Sequence, residues 1–110
     1  MGLKYRTYLD GTLIYGCRRC KTHLSTGDAI ISKHFQGSHG QAYLFGYCVN
    51  FIAGKAEDRS MTTGLHRVQD IACIKCREVL GWTYVKAYSE ENKYKEGKFI
   101  LEKDLLTDVR

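Results

Sequence analysis

The chain has 110 residues, 44% hydrophobic and 26% charged, with 17 Lys and Arg against 12 Asp and Glu, a formal +5 at pH 7. This is globular chemistry, not the polar, aromatic-poor composition of a disordered segment, and a chain of this length buries roughly 65% of its unfolded surface, enough for one domain over residues 1–110. No apolar run approaches the roughly 20 residues of a membrane helix, so no membrane partner is expected.

At the N-terminus "MGLKYRTYLDG" lacks an apolar stretch followed by a small-residue cleavage site, and Arg6 stands where a myristoylation signal wants Ser or Thr. An intracellular protein is expected. Further along, "AIISKHF" (29–35), "QAYLFGYCVNF" (41–51), "HRVQDIAC" (66–73), "LGWTYVKAY" (80–88) and "GKFILEKDLL" (97–106) are rich in Ile, Val, Tyr and Phe. Glycines at 27, 37, 40, 46, 54 and 64 punctuate them, which predicts short strands joined by turns and an all-β fold. The polar "AYSEENKYKEG" (87–97) reads as a helical turn or an exposed loop.

Five cysteines form an odd set in a chain with no export signal, which argues against a disulfide framework and for metal binding or catalysis. Cys17-Arg-Arg-Cys20 and Cys73-Ile-Lys-Cys76 are both CxxC pairs, with 52 residues between them. A turn bearing two thiolates at this spacing offers both sulfurs to one ion, and two such turns complete the tetrahedron that zinc takes in a closed structural site. A single structural Zn2+ on Cys17, Cys20, Cys73 and Cys76 is therefore expected. The gap exceeds the roughly 15–20 residues of a simple zinc ribbon, so the ion ties together distant parts of the chain. The two pairs look like pseudo-equivalent knuckles. Arg18, Arg19, Lys21, Lys75 and Arg77 crowd them and either offset the charge of the zinc-thiolate centre or are solvated loop cations. His23, three residues after Cys20, is an alternative ligand that four cysteines make redundant.

Beyond the thiols, "GCRRCKTHLS", "IISKHFQGSHGQAYLF", "VNFIAGKAEDRSMTTGLHRVQDIACIKC", "LGWTYVKAY" and "NKYKEGKFILE" together resemble the Yippee family over almost the whole chain. Asn50, Arg59, Met61, His66, Gly81, Trp82 and Tyr84 are among the matching positions, whereas the family usually has an aliphatic residue at Cys48. The resemblance implies a β-tent, two antiparallel sheets joined near the zinc. That fold is shared with the ligand-binding domain of cereblon, with centromere-licensing proteins and with RNA-sensing domains of innate immune helicases.

Trp82 and Tyr84 alternate on one strand face and form either a core layer or the wall of a recognition site. Likeness to the cereblon domain makes them a candidate ligand pocket with Met61 and His66, although the other tryptophans of that aromatic cage are absent and a peptide partner fits better. His66 is alternatively a structural histidine. Four thiolates leave zinc no open position, so the functional expectation is a non-enzymatic interaction module. Family likeness implies an adaptor or ligand-recognition subunit of the nucleus and cytoplasm, linked to the CTLH/GID ubiquitin-ligase assembly and to growth or cell-division control. Two alternatives stand beside it: a nucleic-acid-binding domain, suggested by the +5 charge, and an enzyme like the methionine-R-sulfoxide reductases using Cys48, which "GYCVNF" resembles only in part, because there the nucleophile follows the second knuckle.

Overall fold

The computed structural model describes residues 8–11 and 13–109. The expectations about a leader and a lipid site fall on residues 1–7 and lie outside the described residues. Among these described residues ten strands run in order: β1 (Ile14–Cys17), β2 (His23–Thr26), β3 (Ile30–Gly37), β4 (Gly40–Phe45), β5 (Phe51–Ala53), β6 (Glu57–Met61), β7 (Gly64–Cys73), β8 (Val79–Ala87), β9 (Phe99–Glu102) and β10 (Leu106–Asp108). All the pairings are antiparallel. They build a three-stranded sheet, β10-β1-β2, and a seven-stranded sheet, β3-β4-β9-β8-β7-β5, with β6 also on β7. The expected all-β fold of two antiparallel sheets is what forms. Among the described residues no helix is long and apolar enough to cross a membrane.

Side-chain alternation sends the strands of the large sheet into two apolar layers. Tyr43, Phe45, Ile71 and Leu101 join Cys17, Leu24, Cys48, Cys73 and Leu105 in a core shared by the two sheets. Ala42, Leu44, Val68, Tyr84 and Ile100 point to the opposite face, where Phe35, Met61 and Trp82 pack against them. Leu80 departs from the alternation. Ile71 pairs with Gly81 and Ala72 with Val79, so Leu80 is the extra residue of a β-bulge and turns into the shared core. Next to it Gly81 lies so close to β9 that a Cβ there would strike the Ile100 carbonyl.

Two stretches that read as single strands are broken. In "QAYLFGYCVNF", β4 stops at Phe45 and β5 begins only at Phe51, and between them Asn50 takes a left-handed φ of 58°. Cys48 therefore sits in a connection rather than in a strand. In "GKFILEKDLL", a 3-10 turn over Lys103–Leu105 carries the chain from β9 in the large sheet to β10 in the small one. Three strands escaped the apolar pattern: β1 and β2, only four residues each, and the charged β6. The polar "AYSEENKYKEG" contains a 3-10 turn, Glu90–Lys95.

Candidate metal centre and recognition cleft

β1 of the small sheet ends in Cys17 and β7 of the large sheet ends in Cys73, and each strand runs straight into a knuckle. Backbone hydrogen bonds make the two knuckles alike. Lys21 N–H donates to the Cys17 carbonyl at 2.7 Å and Arg77 N–H to that of Cys73 at 2.9 Å, while the N–H groups of Cys17 and Cys73 donate to Thr22 and Glu78, each at 2.9 Å. The knuckles converge until the four sulfurs of Cys17, Cys20, Cys73 and Cys76 lie within 4.8 Å of one another. Cys17 Sγ is 3.5 Å from Cys76 Sγ, and Cys20 Sγ is 3.4 Å from Cys73 Sγ. A tetrahedron with arms of about 2.3 Å has edges of about 3.8 Å, so this set closes on one ion with small adjustment. The first cysteine of each pair is fully buried and the second half-buried.

Hydrogen-bond donors face three of the four sulfurs. The Thr22 hydroxyl is 3.1 Å from Cys20 Sγ, and backbone N–H groups of Arg19 and Cys20 point at Cys17, of Thr22 at Cys20 and of Glu78 at Cys76. Protein groups alone do not ionise all four thiols. Burial pushes Cys17 up to about 12; at Cys20 burial also acts upward, but hydrogen bonds from Thr22 and from neighbouring thiols bring it down to about 6. A divalent ion supplies the missing positive charge, crosslinks the sheets and, with sulfur at every corner, keeps no open position for substrate. His23 does not join the cluster: its Nδ1 accepts the Leu9 N–H at 2.9 Å and its ring meets Tyr8 edge-on. Arg18, Arg19, Lys21, Lys75 and Arg77 are all exposed, so the fold gathers two separate basic runs at the metal end.

Asn50 ties the two knuckles together. Its side-chain amide donates to the His23 carbonyl at 2.7 Å, just beyond the first knuckle, and its own carbonyl accepts the Ile74 N–H, inside the second, at 2.9 Å.

A cavity of about 730 Å³ opens on the other face of the large sheet. Trp82 and Tyr84 of β8 and Met61 of β6 line it with Phe35 of β3 and with Tyr94 and Lys95 of the 3-10 turn. The indole of Trp82 meets the Tyr84 ring edge-on at 6.4 Å, and burial raises the Tyr84 hydroxyl above its usual range, an effect the nearby Trp82 N–H opposes. His66 is not among the lining residues. It is fully buried, its ring 5.1 Å from that of Tyr84 and its Nδ1 3.0 Å from the Gly64 carbonyl.

A sequence profile described as Yippee zinc-binding/DNA-binding/Mis18, centromere assembly, matches residues 13–110. The chain belongs to the Yippee family. It is 52% identical over 93 residues to a yippee-like protein of Arabidopsis thaliana, covering 84% of this chain and 88% of that one. Yippee-like protein 4 of Homo sapiens is 50% identical over 99 residues, covering 89% and 78%. The crystal structure of the Mis18 Yippee-like domain superposes with a TM-score of 0.71 at 15% identity over 89% of this chain and 95% of that one, a likeness of fold. This is a zinc-binding family, and the four-cysteine cluster is able to hold the ion.

Cys48, the fifth cysteine of this Yippee chain, stands apart from the cluster. It is 8% exposed, its thiol faces the Val49 carbonyl at 3.6 Å, and burial pushes it up to about 12, which keeps it a neutral, poorly nucleophilic thiol at pH 7. Two positions were missed as site residues. Asn50 carried the family likeness but no chemistry of its own, and Lys95 in "NKYKEGK" looks like any solvated lysine of a polar run.

Proposed function

We propose that residues 1–110 form one non-enzymatic interaction domain in which a single zinc ion on Cys17, Cys20, Cys73 and Cys76 fixes the two sheets, and that the cleft beside Trp82, Tyr84 and Met61 takes a protein or peptide partner. The observation that carries this reading is the closed set of four sulfurs, which leaves a bound ion no site for a water nucleophile, together with a fifth thiol that is buried and protonated. His66 supports the cleft from within by packing on Tyr84. Family likeness supports the finer assignment, an adaptor or recognition subunit of the nucleus and cytoplasm linked to the CTLH/GID ubiquitin ligase and to growth or cell-division control.

Native mass spectrometry is expected to find one zinc per folded chain; a compact, metal-free polypeptide overturns the domain reading. Affinity capture of the tagged, zinc-loaded chain from cells is expected to recover ligase subunits, and recovery of background proteins alone removes the adaptor assignment. Sulfoxide-reductase assays are expected to show no thiol-dependent turnover in either the natural protein or Cys48→Ser.

A second reading has its own support. The family description includes DNA binding, and five exposed cations cluster at the knuckles of a chain carrying +5. Nucleic-acid binding through them predicts affinity that falls steeply and log-linearly with salt and weakens in Arg18→Gln/Arg19→Gln.

A further inference from the structure

Lys95 is 1% exposed, in a cavity wall rather than at the surface. Its Nζ donates to Thr63 Oγ1 at 2.8 Å and lies 5.3, 5.5 and 6.0 Å from the ring centres of Phe35, Tyr84 and Tyr94. Among the described residues no carboxylate comes within ion-pair distance of it; the adjacent Glu96 is held by Lys93 and by the Ala87 N–H. An ammonium has three N–H donors, and this one spends one on a protein acceptor. Taking such a charge out of water is unfavourable, and three ring faces and one hydroxyl offset that only in part. Burial accordingly holds the Lys95 pKa below the ordinary lysine value.

The rest of the wall fits the same deficit. The indole N–H of Trp82 is buried; it lies near the Tyr84 hydroxyl but makes no well-formed hydrogen bond among the described residues. Among the described residues none that lines the cavity is acidic, and the lining cation Arg59 is already engaged by Glu57 at 2.6 Å and Asp70 at 3.2 Å. The site is thus a mixed cleft, aromatic at Phe35, Trp82, Tyr84 and Tyr94 and elsewhere lined by hydroxyl and amide side chains, with one uncompensated positive charge in its wall. The aromatic faces that would receive a cationic ligand already hold the chain's own ammonium, so a second cation meets like charge at close range. A single free charge matches a monoanion, whereas a phosphate dianion would bring one more negative charge than Lys95 offsets.

We propose that this cavity is a binding site for a carboxylate-bearing ligand with a flat apolar body, the carboxylate paired with Lys95 Nζ and the body packed on Trp82, Tyr84 and Met61. This rests on the cleft being the recognition surface and adds the chemical class of what it recognises. The carboxylate supplies the counter-charge the fold lacks, in a cleft where a charge-assisted hydrogen bond is stronger than in water.

Trp82 is the sole tryptophan, so its emission reports on the cavity. The zinc-loaded full chain is titrated with benzoate, with its neutral isostere benzamide and with phenyl phosphate. Benzoate is expected to give a saturable change with affinity about tenfold or more above benzamide. Lys95→Met, which keeps the length of the side chain and removes the charge, is expected to erase that preference while leaving the zinc content in place. The benzoate-benzamide comparison is made on the natural protein and stands even if the variant does not fold. Equal response to the two probes, no saturable response to benzoate, tighter binding of phenyl phosphate, or an unchanged benzoate preference in a folded Lys95→Met each overturns the proposal. None of these outcomes touches the domain reading, which metal content and partner capture decide separately.

Discussion

Lys21 and Arg77 hold the same backbone conformation in the two knuckles: both are left-handed, with φ of 67° and 68°, and each donates its N–H to the cysteine carbonyl four residues earlier. A turn that brings two sulfurs to one ion and then reverses into the next strand imposes this conformation at the residue after the second cysteine, whatever its side chain.

The left-handed region costs a residue with a Cβ about 1–2 kcal/mol, and glycine returns roughly 0.5–1 kcal/mol of that through its freer unfolded chain. Lys21→Gly and Arg77→Gly are each expected to raise the stability of the zinc-loaded protein, by about 0.5–1 kcal/mol. Arg77→Val is expected to lower it by more than about 1 kcal/mol, since a β-branched side chain is poorly accommodated there. Thermal melts at matched zinc saturation read both directions.

Asn50→Ala removes the amide that spans from the fifth strand's approach to the His23 carbonyl and replaces a residue that tolerates φ of 58° with one that does so poorly. A loss of about 1–3 kcal/mol is expected from the missing hydrogen bond. Because the knuckles then align less well before metal arrives, zinc affinity is expected to fall by about tenfold. Urea denaturation gives the first quantity, and competition with a chromophoric chelator gives the second.

Cys73→Ser and Cys48→Ala separate ligand from bystander. Zinc binding in peptides is worth about 10–16 kcal/mol, more than the net stability of most small domains. Loss of the buried Cys73 thiolate is therefore expected to leave well under one zinc per chain and a collapsed strand signal in circular dichroism, as is treatment of the natural protein with a strong chelator. Cys48→Ala is expected to keep its full zinc content and to cost about 1 kcal/mol for a small buried group. Equal zinc loss in the two variants would remove Cys48 from the apolar core and place it at the metal.

His66 is fully buried, and burial lowers its pKa below the ordinary value; the Gly64 carbonyl opposes this, and the positive charge of Lys95 adds to it. Below about pH 6.5 the unfolded chain therefore binds a proton at this position that the folded chain refuses. Stability is expected to fall as pH drops from 7 toward 5, with a contribution from His66 of at most about 1.4 kcal/mol per pH unit. In His66→Gln that part of the slope disappears. Urea midpoints against pH at saturating zinc, compared between the two proteins, give the difference.

Some of this molecule is local and some is not. Two CxxC pairs and glycine-bounded runs of β-branched and aromatic residues already specified an all-β scaffold around one four-thiol metal centre, because thiol spacing and strand periodicity are properties of neighbours in sequence. Tertiary structure decided the rest. Leu80 entered the shared core through a bulge that no alternation announces, and Asn50 acquired its role only when the knuckles met on either side of it. Lys95, polar in a polar run, became an enclosed cation because rings from three separate segments surround it. Burial and unmet charge depend on what distant elements bring to the same place, and no local pattern records that.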